Sequence, residues 1–198
     1  VTLDVVPVLG HGVDARVASI LVERLKTGWL NDEGIDMTGI TRIAIGELHT
    51  RVCVDGGPSP AIDVELGIGL AQLGRGPFRH QPPSELELES AVAFVEDAVM
   101  PLAKVLPPST KLVSSDAIAS RLLALAQRAP GQATGVLTLQ QVEHVFGELA
   151  AVSLGRPSSS SGVPTDGRFV SCVLILREFM HHLAFGDISI EEATTEAR

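Results

Sequence analysis

Gly46-Glu47-Leu48-His49-Thr50 joins two β-prone runs and concentrates groups that could do chemistry in one turn. Glycines and hydroxyls in such a turn suit phosphate, because a backbone without Cβ lets amide N–H groups come close to an oxyanion. Glu47-x-His49 could form half of a carboxylate–imidazole site, and alternation predicts both side chains on the same side of the hairpin. A solvated turn histidine is the simpler reading of His49.

Other patterns carry less. Glu178-x-x-His181 has the i,i+3 spacing of di-iron bundles, but those sites need a second such pair on a facing helix and the sequence has none. His181 and His182 are expected to interact with a helix dipole or with solvent. Ser158 to Ser161 lacks the strand–turn–helix context of a nucleophile elbow, and no Walker A or dinucleotide glycine pattern occurs. Cys53 and Cys172 are too far apart for a metal pair, and each lies in an apolar run as a buried thiol would. No metal site is predicted from the residues themselves.

The elements that must position the turn follow from periodicity. Thr41, Ile43 and Ile45 lead into it, and Val52 and Val54 leave it on one face with Arg51 and Cys53 on the other. A Gly-Gly-Pro-Ser-Pro turn at 56–60 precedes a third strand, expected over Ala61–Leu70, so the three form an antiparallel meander. Upstream, Thr2–Leu9 reads as a strand, Val13–Leu25 as a helix and Asn31–Thr38 as a surface loop. Downstream, Ser84 with Glu87 forms a capping box, and Leu88, Val92, Val95 and Val99 line one face of the helix they open.

Pro101 perturbs the last turn of that helix. Lys111–Ser114 reads as a short strand and Ser115–Gln127 as a helix. Thr138 with Gln141 caps another helix to about Val152. The Ser/Pro/Gly-rich stretch 155–167 is expected to be a flexible loop, Phe169–Leu183 a core helix, and Ile188 and Ile190 a last strand. Strands first and then alternating helices and strands predict a mixed α/β sheet with helices packed on it, in a single domain over 1–198.

The 198 residues suffice for a packed core, and 45% apolar with 20% charged residues is a globular composition. A net charge of −9 and the absence of a basic stripe argue against nucleic acid as a partner. No apolar run reaches the ~18 residues of a membrane span, and no signal-peptide pattern opens the chain. Two separated cysteines give no disulfide framework, which fits a reducing cytoplasm. The chain starts at Val1 rather than Met, which predicts a segment upstream of it.

In this order, LGHGVDAR, AIGELHTRV, DVELGIGLAQL, KLVSSDAIASRLLAL, LTLQQVEHVF, PTDGRFVSCVLIL and DISIEEATTEAR resemble the second half of the exopolyphosphatase/guanosine pentaphosphate phosphohydrolase (Ppx/GppA) family. The resemblance is colinear from about Val5 to the C-terminus and implies the actin-like (ribonuclease H-like) fold. It implies a catalytic-base position at Asp14, phosphate-loop positions at Gly46, Glu47, His49, Thr50, Ser115 and Asp116, and a ligand-binding arginine at Arg168.

The departures fall in these loops. The family's acidic base would be Asp14, one methylene shorter than Glu, which weakens its reach. Its hairpin Asp near the metal is Ala44, its phosphate-loop glycines become Glu47 and Leu48, and a Gly-Thr pair becomes Asp116-Ala117. The resemblance therefore implies a catalytically degenerate binding or regulatory module, with a homodimer as the expected assembly and polyphosphate or a nucleotide as possible ligands. The alternative is an active phosphoanhydride hydrolase using Mg²⁺ and completed by a partner copy or an upstream domain.

Overall fold

The computed structural model describes residues 39–55, 62–107, 110–127 and 135–191. The expected strand at Thr2–Leu9, helix at Val13–Leu25, loop at Asn31–Thr38 and turn at 56–60, together with Asp14, lie outside the described residues.

Three strands, β1 (Ile40–Ile45), β2 (Thr50–Asp55) and β3 (Ile62–Leu66), form the expected antiparallel meander. Register pairs Ile43 with Val52 and Val52 with Val64, so the β-branched residues of all three strands stack on one face. That face is buried from Ile43 and Ile45 through Val54 to Leu66, while Arg42, Arg51, Asp63 and Glu65 alternate onto the other, exposed one. On the exposed face Arg51 forms a two-pronged pair with Asp63 at 2.7 and 2.5 Å.

β3 stops at Leu66 rather than Leu70. After it the chain bends back across the β1–β2 turn, where Leu70 N–H donates to the Gly46 carbonyl (2.9 Å) and Ala71 N–H to the Glu47 carbonyl (2.8 Å). These bonds replace a strand ladder, which is why the apolar run Ile68–Leu70 is buried without being extended.

A single turn of helix, α1 (Gln72–Arg75), leads to α2 (Glu85–Val99). The predicted capping box is present: Ser84 accepts from Glu87 N–H, and the Glu87 carboxylate accepts from Ser84 N–H at 2.8 Å. Glu87 also accepts from Arg79 N–H (2.8 Å) and lies 2.9 Å from His80 Nδ1, and these bonds hold its carboxyl down at about 2. A 3₁₀ turn follows at Met100–Lys104, where Pro101 removes an α-helical donor.

Then come β4 (Lys111–Ser114), α3 (Ala117–Ala126), β5 (Val136–Thr138), α4 (Leu139–Ser153), a turn of helix α5 (Ser158–Ser161) within the expected 155–167 loop, α6 (Gly167–His182) and β6 (Asp187–Ile190). The second predicted capping box, Thr138 with Gln141, opens α4. α3 starts two residues later than periodicity suggests because Ser115 and Asp116 form the loop before it.

β5 was not expected. Three residues are too few to display alternation, and it forms by pairing Leu137 with Ile188 of β6. The six strands run in the order β3-β2-β1-β4-β6-β5, parallel at β1–β4 and β4–β6 and antiparallel elsewhere. This is the mixed sheet predicted.

α6 is buried on nearly every side, from Phe169 through Met180, as an apolar helix in the middle of a core must be. It packs against α2, α3 and α4, and their inward residues join those of the meander in one hydrophobic cluster. Among the described residues no helix is long and apolar enough to cross a membrane.

Candidate functional site

Three loops meet at one end of the sheet: the β1–β2 turn, the β4–α3 loop and the segment entering α6. Each carries an acid. Backbone bonds fix the turn. Gly46 N–H donates to the His49 carbonyl at 2.9 Å, and a Cβ at position 46 would lie 2.8 Å from that oxygen. Gly69 crosses above so closely that its Cβ would stand 2.7 Å from Glu47 and Leu48 backbone atoms.

Thr50, a predicted phosphate-loop residue, is fully buried, and its hydroxyl donates to the Ile68 carbonyl at 2.8 Å. It fastens the returning 67–71 segment to the hairpin. His49 and Glu47 do not share a site. His49 Nδ1 stands 3.3 Å from Glu65 on the exposed face of the meander, whereas Glu47 reaches across 121 positions to Arg168. Alternation fails here because turn residues do not follow strand period. Ala44 sits opposite Arg51 on the exposed face and offers no ligand atom.

Arg168 grips Glu47 with both terminal nitrogens, one bond 2.6 Å long. Their side chains remain 56% and 52% exposed, which sets how much the pair can contribute. Two residues earlier Asp166 caps α6 by accepting from Phe169 N–H at 3.0 Å. Asp166 also pairs with Arg121 of α3 at 3.3 Å, and the Arg121 guanidinium lies 5.3 Å over the Phe169 ring.

Asp116 behaves differently. It stands at the N-cap of α3 with extended backbone, yet its carboxylate makes no cap bond. Instead Oδ2 accepts from Ile45 N–H, the last amide of β1, at 2.7 Å and from the buried Ser114 hydroxyl at 3.0 Å. Ser114 Oγ in turn accepts from Asp116 N–H at 3.3 Å, which closes a small ring. The neighbouring Ser115 is exposed. Burial pushes the Cys172 thiol of α6 far up, and the Asp116 charge adds to the effect.

The structure therefore brings Gly46, Glu47, Asp116 and Arg168 to one end of the sheet and sends His49 and Thr50 elsewhere. Sequence reasoning missed Ser114, Arg121 and Asp166 as members of this cluster. Asp166 had a signal, since an Asp just ahead of an apolar helical run is a cap; the others are recruited by tertiary contact.

The pair Glu178–His181 is not formed. Glu178, on the buried side of α6, lies 3.2 Å from His182 and is also bound by Arg177, which stacks over Phe146 at 4.6 Å. His181 lies 3.8 Å from Glu143. Among the described residues no three His, Cys, Asp or Glu side chains are grouped so as to hold a metal ion.

No family model matches the sequence, and no curated protein matches it. Solved structures do. The Aquifex aeolicus Ppx/GppA enzyme aligns with a TM-score of 0.61 at 19% identity, covering 78% of this chain and 53% of its own. An exopolyphosphatase from Cytophaga hutchinsonii aligns at 0.61 and 14% identity, covering 90% and 59%. An exopolyphosphatase-like protein aligns at 0.60 and 12% identity, covering 84% and 59%. The chain thus spans little more than half the length of these structures, the share expected of one half. Its fold is that of the Ppx/GppA exopolyphosphatase structures.

Proposed function

We propose that this chain is a Ppx/GppA-like domain that does not hydrolyse phosphoanhydrides and acts as a binding or regulatory module. The observation that carries the reading is Asp116 Oδ2 at 2.7 Å from Ile45 N. An oxyanion from within the chain already sits on an amide at the end of β1, where the resemblance puts phosphate. A phosphoryl oxygen approaching the same donor meets like charge at close range, which costs several kcal/mol at the ~4 Å and intermediate dielectric of a half-buried site.

The remaining departures agree. Water activation needs a base within hydrogen-bond reach, and the shortened Asp14 is poorly suited to it. The described side chains do not fit Mg²⁺, because Ala44 supplies no oxygen while Asp116 is held by a backbone amide and a buried hydroxyl. What persists is a wall that carries the exposed arginines Arg168 and Arg121, suited to binding rather than to bond cleavage.

The test is phosphate release from polyphosphate and from guanosine pentaphosphate by the purified protein with Mg²⁺. Release no faster than in buffer is expected. Turnover that disappears in Asp14→Ala would overturn the proposal and favour the hydrolase.

A further inference from the structure

We infer that the outward face of α2 is a docking surface for a basic amphipathic helix of another protein. That helix seats apolar side chains on Leu86, Phe94 and Met100 and pairs its cations with Glu85, Glu89 and Asp97. None of these residues belongs to the three loops at the end of the sheet, so the inference stands whether or not the chain hydrolyses phosphoanhydrides.

α2 turns Leu88, Ala91, Val95 and Val99 inward, and it packs on the central helix α6. The opposite face should then be wholly polar, yet an apolar stripe runs along it. Leu86, Ala93 and Met100 recur every seven residues, about two helical turns, and Phe94 lies beside Ala93. Met100 stays in line because its backbone is still helical, at φ −51° and ψ −38°. Scattered exposed apolar residues are ordinary, but here they gather. Of the four large apolar side chains exposed among the described residues, α2 and its C-cap hold three: Leu86 at 72%, Phe94 at 40% and Met100 at 47%. The stripe runs about 21 Å at ~1.5 Å per residue, roughly four turns of a partner helix.

Charge decides what covers it. α2 carries five acids and no Lys, Arg or His. Glu87 is engaged in the capping box, and Glu96 faces His182 at 3.8 Å. The exposed Glu85, Glu89 and Asp97 meet no cation among the described residues, whereas Asp63, Glu65 and Glu191 on the sheet side each do. A second copy of α2 laid on the stripe would set these acids against their own kind, and like charges across an interface oppose association. A helix with Lys or Arg beside its apolar seam satisfies both features at once.

Fluorescence anisotropy tests the surface, using the full chain and a labelled synthetic peptide of about three heptads with leucine at the a and d positions and lysine beside them. Micromolar binding is expected of so small an interface, and a peptide of the same composition with its leucines scrambled should bind about tenfold weaker. Leu86→Gln with Met100→Gln should weaken binding about tenfold. Glu89→Lys with Asp97→Lys should do the same, while the charge-matched Glu65→Lys with Asp187→Lys stays within about twofold of wild type. These side chains are all exposed, so melting temperatures near that of wild type verify folding. Equal binding of the scrambled peptide, binding untouched by Leu86→Gln with Met100→Gln, or equal loss in both charge pairs overturns the inference. So does sedimentation that shows a wild-type dimer split by Leu86→Gln with Met100→Gln, since a second copy would then occupy the face.

Discussion

Replacing Asp116 with Ala should destabilise the protein although the side chain is only half-buried and lies in a loop. The carboxylate serves two donors that water cannot readily reach: Ile45 is 4% exposed and Ser114 is 2% exposed. Removing it strands the Ile45 amide at the end of a central strand, and the Ser114 hydroxyl loses its acceptor. A bond from a buried amide to a charged acceptor is worth about 1.5–3 kcal/mol, and the hydroxyl can turn to a new partner, so the net loss should be about 2–3 kcal/mol. At ~2–4 °C per kcal/mol for a chain of this size, the melting temperature should fall by about 4–12 °C.

Differential scanning calorimetry of wild type, Asp116→Asn and Asp116→Ala gives the series. Asn retains one oxygen for Ile45 N–H without the charge and should fall between, nearer wild type. Asp116→Ala melting within about 1 °C of wild type would refute the claim that this carboxylate is an integral strand-end cap.

Other outcomes follow from the same geometry. Gly69→Ala places a methyl 2.7 Å from Glu47 and Leu48 backbone atoms, so it should cost about 1–3 kcal/mol, read as a lowered urea midpoint at unchanged slope. Thr50→Val leaves the Ile68 carbonyl without its 2.8 Å partner and should cost about 1–2 kcal/mol by the same measurement. Glu87 has a folded-state value near 2 against an ordinary 4.5, so its contribution is complete above about 4.5 and is lost as pH falls toward 2. Acid titration of stability should therefore be less steep in that window for Glu87→Gln than for wild type; identical profiles would discount the capping carboxylate.

What the sequence made legible was local. Alternation at Ile43, Ile45, Val52 and Val54 set the hairpin and its buried face, because strand period is written in adjacent residues. Ser84-x-x-Glu87 and Thr138-x-x-Gln141 announced two helix starts, and the unbroken apolar run from Phe169 announced the central helix. The resemblance placed Glu47, Asp116 and Arg168 together, and the structure has all three at one end of the sheet.

What the sequence hid was direction over distance. Asp116 could have capped its own helix, as its position invites, but it turns to an amide 71 residues away. Glu47 was expected beside His49 and instead crosses to α6, because the β1–β2 turn rotates successive side chains away from strand alternation. Ile68–Leu70 read as strand, yet the glycines beside it let the chain fold over the turn. Each of these outcomes depends on which loops meet at the end of the sheet.

A crystal structure of the protein grown with Mg²⁺ and a non-hydrolysable triphosphate analogue reads the cleft directly. The account predicts that Asp116 stays on Ile45 N–H at its present 2.7 Å and keeps the analogue off that amide. A phosphoryl oxygen on the Ile45 amide, with Asp116 turned away to bind Mg²⁺, would contradict it.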